Sequence, residues 1–233
     1  KESIRPIQGR LMFLGAQPLF DLDAIALSPK KRYRIMYRHM PDVGSLGQWM
    51  MKATAGTQLS LDYASLEDLE RKFRVLCRLS PFLTAIFSNS PLHLGKPSGY
   101  KSFRSHIWQN TDGTRSGIPG AFIRKDFTIE DYIDWALLAS PYHLNRQGEI
   151  HELMDHSFRN LMAGSYPQIK TDFEDWKDHL GMLFPEIRIK NIIEIRSIDT
   201  LNPEYVLAVP ALLQALIYDE SVFGKLESMM MDL

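Results

Sequence analysis

Polar and apolar residues alternate along residues 51–63, and this alternation predicts the first β-strand. The odd positions are mainly apolar, whereas the even positions are polar or small. A period of two places successive side chains on opposite faces of a strand. We therefore expect one buried face and one polar face, with Thr54, Gly56 and Gln58 on the polar face.

Charged and apolar residues also alternate in residues 186–199, which predicts a second strand. The apolar series consists of Ile187, Ile189, Ile193 and Ile195, and the charged series of Arg188, Lys190, Glu194 and Arg196. Asn191 and Ile192 interrupt the alternation. We expect Glu194 and Arg196 to project side by side from the charged face of this strand.

Helical periodicity fills much of the chain between and after these strands. Three helical segments begin at a hydroxyl residue that an acidic residue follows three positions later: Ser65 with Asp68, Thr128 with Asp131, and Thr171 with Glu174. Such pairs accept hydrogen bonds from the free amides of a first helical turn. Pro81 should end or redirect the first helix, and an apolar helix that follows Pro203 should kink at Pro210.

The order of these elements predicts an α+β fold in which helices cover one face of an antiparallel sheet. We find no repeat, low-complexity tract or Gly/Ser linker, so residues 1–233 are interpreted as one domain. With 45% hydrophobic residues, a chain of this length can bury a substantial core.

Composition narrows the partners that the chain can bind. Lys and Arg (27) nearly balance Asp and Glu (28), so no overall charge attracts nucleic acid or an anionic membrane surface. The single cysteine, Cys77, lies in an apolar helical pattern, which favours a buried, inert thiol. No apolar run is long enough for a bilayer and no signal peptide is evident. We expect a cytoplasmic protein that binds small molecules through local charges.

The polar face of the first strand is a candidate binding surface. A solvated outer face is the alternative interpretation, because antiparallel sheets often expose one side. However, Thr54, Gly56 and Gln58 are short or uncharged, unlike the Lys/Glu mixture of an ordinary soluble surface. Gly56 also weakens a strand unless a ligand or a backbone segment approaches it closely.

On the second strand, Glu194 and Arg196 are candidates for ligand chemistry. A carboxylate can hold a hard cation such as magnesium, and a guanidinium can bind a carboxylate or phosphate through two parallel hydrogen bonds. The alternative is an ion-paired ladder with Arg188 and Lys190, which would contribute little to stability.

Residues 98–120 contain several glycines among aromatic and basic residues, which predicts a long structured loop. Arg104 and Arg115 are candidate anion-binding residues there, while Trp108 is either part of a binding site or a core residue. His106 is better interpreted as a hydrogen-bonded structural histidine than as a catalytic base. The sequence contains no zinc motif, P-loop, Rossmann glycine pattern or nucleophile elbow.

Five segments together resemble a known family, the plant and proteobacterial glutamate–cysteine ligases. The matching segments are residues 40–65, 71–91, 95–122, 175–197 and 209–219. They follow the order of the family and cover most of the chain from about residue 15 to residue 219. The resemblance implies a fold like that of glutamine synthetase, in which a curved antiparallel sheet forms a funnel for ATP, metal ions and glutamate.

The activity implied by this resemblance is an ATP- and Mg²⁺-dependent γ-glutamyl ligation. ATP would phosphorylate the γ-carboxylate of glutamate, and the amine of cysteine would attack the acyl phosphate. Two alternatives stay open. The chain could be a non-catalytic amino-acid-binding or regulatory module derived from the ligase, or a γ-glutamyl ligase with a different acceptor amine.

The resemblance also implies roles for individual residues. The expected glutamate-binding residues are Arg32, Thr54, Arg104 and Trp108. Gln58 and Glu194 match magnesium ligands, and Arg196 matches an arginine beside the transferred phosphate, where its charge stabilises the transition state. The family's acidic metal-binding motif precedes the segment around Arg32 and has no counterpart here. We therefore expect a chain that is incomplete at its N-terminus and lacks most of the magnesium ligands.

Overall fold

The computed structural model describes residues 6, 9, 11–146 and 148–233, which form a mixed α+β fold. Its helices are α1 (Lys31–Val43), α2 (Gly47–Ala53), α3 (Leu66–Ile86), α4 (Phe103–Gln109), α5 (Ile129–Leu138), α6 (Phe158–Met162), α7 (Phe173–Leu180), α8 (Ala208–Ile217) and α9 (Glu220–Met231). Its strands are β1 (Gly56–Leu61), β2 (Leu92–His93), β3 (Lys96–Pro97), β4 (Ser116–Gly117), β5 (His143–Arg146), β6 (Glu149–Glu152), β7 (Phe184–Pro185), β8 (Ile187–Ile189) and β9 (Ile193–Asp199). The predicted α+β class is confirmed. Within these residues no helix is both long and apolar enough to cross a membrane.

The largest sheet has three antiparallel strands in the order β1-β9-β8. Strands β8 and β9 form a hairpin in which Lys190 N donates to Ile192 O at 2.9 Å. The prediction of one continuous strand over residues 186–199 is therefore wrong. Asn191 and Ile192 interrupt the alternation because they lie in the turn of this hairpin.

Strand β1 begins later than predicted, because residues 51–53 belong to α2. Met50 and Ala53, three positions apart, are both buried, so tertiary packing favours a helix over the alternating pattern. Thr54 follows this helix, and its hydroxyl donates to Met50 O at 2.8 Å. Within β1 the predicted facing is confirmed, since Leu61 is buried and Leu59 packs against the core.

Helix α3 packs its apolar face against β9, with α8 and α9 beside it. Phe73, Leu76 and Leu83 are fully buried. The helix continues through Pro81 to Ile86, so the predicted break is wrong. Proline removes one backbone donor, but buried residues on both sides hold the helix in place. Cys77 is buried and free as predicted, and burial raises the pKa of its thiol.

Two of the predicted helix starts are confirmed by their capping bonds. Ser65 accepts from Asp68 N at 3.1 Å, and Thr128 forms a reciprocal capping box with Asp131. The third helix starts one residue later than predicted, because Asp172 and Asp175 form its capping box instead. Helix α8 also begins later than expected, which leaves Pro210 in its first turn, where proline removes no intrahelical bond.

A β-bulge in β9 changes which residues face the core. Leu59 pairs with Ile195, but Thr57 pairs with Ile198, so the register shifts by one residue between these pairs. Ile193, Ile195 and Ile198 are all fully buried. The apolar series thus changes from odd to even positions, and Asp199 joins the polar face of the sheet. Bulges often redirect side chains beside functional sites.

Candidate functional site

Part of the predicted loop over residues 98–120 is helix α4, and this helix carries two candidate site residues. Ser102 caps it by accepting from Ser105 N at 3.1 Å. Phe103 and Ile107, four positions apart, are buried beneath it. The loop prediction is wrong here because two turns are too short for the periodicity to stand out. Arg104 and Trp108, also four positions apart, share one helix face.

Arg104 extends from α4 across the start of β1. Its Nη2 donates to the carbonyl oxygen of Arg196 at 2.7 Å, and its side chain is only 4% exposed. A Cβ on Gly56 would lie 2.6 Å from Nη2, so only glycine allows this placement. Burial lowers the pKa of Arg104, whereas the charges of Asp199 and Glu186 act in the opposite direction. The close approach expected at Gly56 is thus made by a guanidinium.

Glu194 lies between two arginines on the polar face of β8 and β9. Its Oε2 accepts from Arg188 Nε at 2.6 Å and from Arg196 Nη1 at 3.4 Å, and Arg188 Nη2 lies 2.6 Å from the same oxygen. Burial opposes ionisation of Glu194, but both arginines outweigh it and hold its pKa below the ordinary value. Burial, with the charge of Arg188, lowers the pKa of Arg196 to about 10. The ion-paired ladder therefore exists, but it is largely buried and includes no Lys190 pair.

Gln58 extends this group across β1. In the amide orientation that satisfies both partners, its nitrogen donates to Glu194 Oε1 at 3.0 Å. Its oxygen then accepts from Arg196 Nη1 at 3.1 Å. Both oxygens of Glu194 consequently have protein partners. Among the described residues, no cluster of three or more His, Cys, Asp or Glu side chains could hold a metal ion.

Arg104 and Arg196 border a cleft between α4 and the strands. Its lining residues include Arg104, Trp108, Phe184, Glu186 and Arg196. The guanidinium carbons of Arg104 and Arg196 lie 5.9 Å and 5.7 Å from the Trp108 ring centroid. Trp108 also packs against Phe184 at 5.8 Å, so it belongs to both the cleft and its supporting core. Two guanidinium groups, those of Arg104 and Arg196, line the cleft with one carboxylate, that of Glu186, which leaves a positive surplus for an anion.

Two of the residues expected to bind glutamate lie outside this cleft. Arg32 is exposed on α1 and lines a neighbouring depression with Lys177 and Lys190. Phe184 forms part of the wall of both depressions. Thr54 lines neither of them, because its hydroxyl closes the end of α2. The structure thus brings together Gln58, Arg104, Trp108, Glu194 and Arg196, and separates Arg32 and Thr54 from them.

Two charged residues at or near the cleft were not singled out from the sequence as ligand-binding candidates: Glu186, which lines it, and Arg188, which pairs with Glu194. Arg188 entered only as part of the ladder, although its alternation with Glu194 and Arg196 already put it on the same face. Glu186 lies opposite Arg196 across the hairpin, where Arg196 N donates to Glu186 O at 2.9 Å. Its carboxylate accepts a hydrogen bond from Ser80. The signal available in the sequence was its even position, which Glu186 shares with Arg188, Glu194 and Arg196.

Comparison with known proteins confirms the resemblance. The family model described as "Glutamate-cysteine ligase family 2 (GCS2)" matches residues 4–224. The chain is 41% identical over 222 residues to "Glutamate--cysteine ligase B, chloroplastic" of Oryza sativa subsp. japonica, covering 94% of this chain and 45% of the relative. It is 41% identical over 209 residues to "Glutamate--cysteine ligase, chloroplastic" of Nicotiana tabacum, covering 88% and 40%. The Arabidopsis thaliana protein with the same name is 39% identical over 210 residues, covering 89% and 40%.

The aligned region is a large fraction of this chain but a smaller fraction of each relative. Most of this chain aligns, but it spans less than half the length of these three relatives.

Proposed function

The chain belongs to glutamate–cysteine ligase family 2, and from this premise we propose that its cleft is the glutamate-binding part of an ATP-dependent γ-glutamyl ligase. The observation that carries the proposal is that two guanidinium groups, those of Arg104 and Arg196, line the cleft together with one carboxylate, that of Glu186. A surplus of fixed positive charge favours an acidic substrate.

The cleft suits a small dicarboxylic amino acid. Arg104 and Arg196 lie against the same Trp108 ring, and their planar forks can each accept a carboxylate through parallel hydrogen bonds. Arg104 is pre-organised because Gly56 and the Arg196 carbonyl fix its side chain. Such pre-organisation reduces the ordering cost on binding and favours charge that develops in the transition state.

In the proposed reaction, the γ-carboxylate oxygen of glutamate attacks the γ-phosphorus of ATP, and the bond to ADP breaks. The cysteine amine then attacks the acyl carbon, phosphate leaves, and the amine loses a proton. Both steps depend on positioning and on neutralising negative charge, so neither needs an ionisable nucleophile of the protein. Arg196 is the residue proposed to stabilise the transferred phosphoryl group.

Mg²⁺ belongs to the proposal only through the family resemblance. Gln58 and Glu194 could offer two oxygen ligands, and water and phosphate oxygens usually supply the rest of the octahedron around Mg²⁺, but the protein ligands must be free to bind. Arg188, Arg196 and Gln58 already occupy both Glu194 oxygens. The described residues therefore do not fit a magnesium centre by themselves.

Three further parts of the expectation also stand as proposals. A larger, funnel-shaped sheet is supported by the edge positions of β1 and β8. Within the described residues each pairs only with β9, so each has a second edge at which a further strand could pair. A single catalytic-type domain is supported by the packing of α3 against both β9 and α9. A cytoplasmic location is supported by the buried, free Cys77, which suits a reducing compartment, although the three relatives are named chloroplastic.

The proposal is tested by glutamate-dependent ADP formation in the full chain with Arg104→Ala. We expect activity to fall by at least about 10²-fold, because loss of one fixed charge at a reacting anion costs about that much. Arg34→Ala removes an exposed arginine of α1 and serves as the matched control.

Normal turnover by folded Arg104→Ala would contradict the proposed site. Calorimetry with wild-type protein shows whether the chain binds glutamate, and the ADP assay shows whether it also turns over nucleotide. Glutamate binding without nucleotide turnover would instead indicate an amino-acid-binding module, and turnover with another amine in place of cysteine would change the acceptor.

A further inference from the structure

Asp199, the last residue of β9, is a buried carboxylate that the proposed reaction does not use. It is 1% exposed, and it has no salt-bridge partner among the described residues. Its Oδ2 accepts from Asn89 N and from Ser90 Oγ, each at 2.7 Å, and its Oδ1 accepts from Ser102 Oγ at 2.9 Å. Three donors converging on one carboxylate compensate for its burial.

The two serine hydroxyls carry these bonds onward to the start of α4. Ser90 Oγ accepts from Arg104 N at 3.1 Å, and Ser102 Oγ accepts from Ser105 N at 3.1 Å. Ser90 and Ser102 also pair through their backbones, since Phe103 N donates to Ser90 O at 2.9 Å. Each hydroxyl can accept from α4 only if its own proton points elsewhere, and Asp199 is the acceptor of both protons.

The surroundings of Asp199 leave no room for a substrate. A Cβ on Gly15 would lie 2.3 Å from the Asp199 carboxyl carbon, so the segment of Gly15 seals this side. On the adjacent strand Asp199 pairs with Gly56, the residue over which the Arg104 guanidinium lies. Asp199 therefore contacts two parts of the structure that hold Arg104. One is the serine pair at the start of α4, and the other is Gly56, the strand position beneath the Arg104 guanidinium.

We propose that Asp199 is a positioning residue, which orients the Ser90 and Ser102 hydroxyls toward the first turn of α4 and thereby holds the Arg104 guanidinium over Gly56 for substrate binding. The inference rests on the proposed function because Arg104 is there the glutamate-binding residue. It assigns a role to a carboxylate that the β-bulge brings onto the polar face of the sheet.

The experiment compares Asp199→Asn, Ser102→Ala and Ser102→Thr in the full chain. Calorimetry gives the Kd for glutamate, and the fitted stoichiometry gives the fraction of protein able to bind. We expect the Kd to rise about tenfold in Asp199→Asn and Ser102→Ala, with unchanged stoichiometry, which corresponds to about 1.4 kcal/mol. Ser102→Thr retains the hydroxyl and should restore the wild-type Kd. Ser88→Ala, which removes a half-buried hydroxyl just after α3 that donates to Ala85 O, is the matched control.

A purely structural role predicts a different result, namely lower stoichiometry or stability with an unchanged Kd in the folded fraction. That result in both Asp199→Asn and Ser102→Ala would overturn the proposal. If wild-type protein fails to bind glutamate, the proposed function fails, and hydrogen exchange then tests the positioning role. Asp199→Asn should accelerate exchange of the Arg104 and Ser105 amides, whereas unchanged exchange would overturn the inference.

Discussion

Two groups of buried charges, one just after α4 and one on the β8–β9 hairpin, are built in opposite ways. In the closed pair, Asp112 and Arg115, Asp112 Oδ2 accepts from Arg115 Nε at 2.6 Å, and the side chains are 1% and 2% exposed. Thr114 satisfies the other carboxylate oxygen, and the Tyr142 ring covers the guanidinium at 4.0 Å. On the charged strand face, Arg188 and Arg196 share the single carboxylate of Glu194.

The difference shows why burial of an arginine is not enough to indicate a binding site. Arg115 was a candidate anion-binding residue, but its one-to-one pairing under an aromatic ring leaves it no access to a ligand. On the charged strand face, two arginines share one carboxylate, and Arg196 also lines the cleft. A buried pair loses much of its attraction to desolvation, whereas unbalanced charge at a cleft remains available.

The largest expected effect comes from removing the surplus charge with Arg196→Ala. We expect glutamate-dependent ADP formation to fall on the order of 10³-fold, as when an arginine beside a transferred phosphate is lost. Glu194 keeps its hydrogen bond and ion pair with Arg188, so the protein should remain folded. Steady-state kinetics measure the effect, and Arg196→Lys should recover part of it. A loss of less than tenfold in folded protein would mean that the surplus is not used in catalysis.

Breaking the closed pair should act on stability instead. Asp112→Ala leaves Arg115 buried without its carboxylate, which we expect to cost about 3 kcal/mol of unfolding free energy. Urea denaturation measures this loss. The double variant Asp112→Ala/Arg115→Met should regain stability, because it removes the uncompensated charge. A loss below about 1 kcal/mol would show that Arg115 finds another partner when Asp112 is absent.

A smaller effect, which depends on pH, is expected from His179, a buried histidine near the closed pair and away from the cleft. Burial lowers the pKa of His179 to about 4, from an ordinary value of 6.5. Between these values the unfolded chain binds a proton that the folded protein excludes, so stability falls as pH decreases from 6.5 to 4. We expect His179 to account for roughly 2–3 kcal/mol of this loss. Its Nε2 lies 2.7 Å from Ala136 O.

Urea denaturation at pH 7 and pH 4.5 tests the contribution of His179. The difference in stability between the two pH values should be smaller in His179→Asn than in wild type. His156→Asn changes a histidine near the surface and serves as the control. Equal pH dependence in wild type and His179→Asn would contradict the assignment.

The sequence predicted the elements whose residues interact locally, and it was weaker where tertiary contacts decide. The caps at Ser65 and Thr128 are confirmed because capping bonds join residues three positions apart. Residues 51–53 were assigned to a strand because their alternation was visible, whereas the burial that makes them helical depends on distant segments. Pro81 was expected to end α3 because the local cost of proline was known and the packing around it was not.

The candidate site shows the same division. Alternation alone identified the face that carries Gln58, Glu194 and Arg196. Arg104 reaches that face only because α4 crosses the start of β1, which no local pattern reveals. Arg32 and Thr54 were assigned by resemblance, and the structure places both outside the cleft, so their roles stay predictions.

The β-bulge in β9 makes the length of this strand as important as its residue identities. Between Ile195 and Ile198 the chain contains one residue more than regular pairing with β1 requires. Deleting Arg196 or Ser197 would restore regular pairing, so Ile198 would still face the core opposite Thr57 and Asp199 would stay on the polar face opposite Gly56. When variants or relatives are aligned, a one-residue gap at this point is therefore compatible with the same two faces of β9, whereas a one-residue gap elsewhere in the strand would exchange core-facing and polar-facing residues.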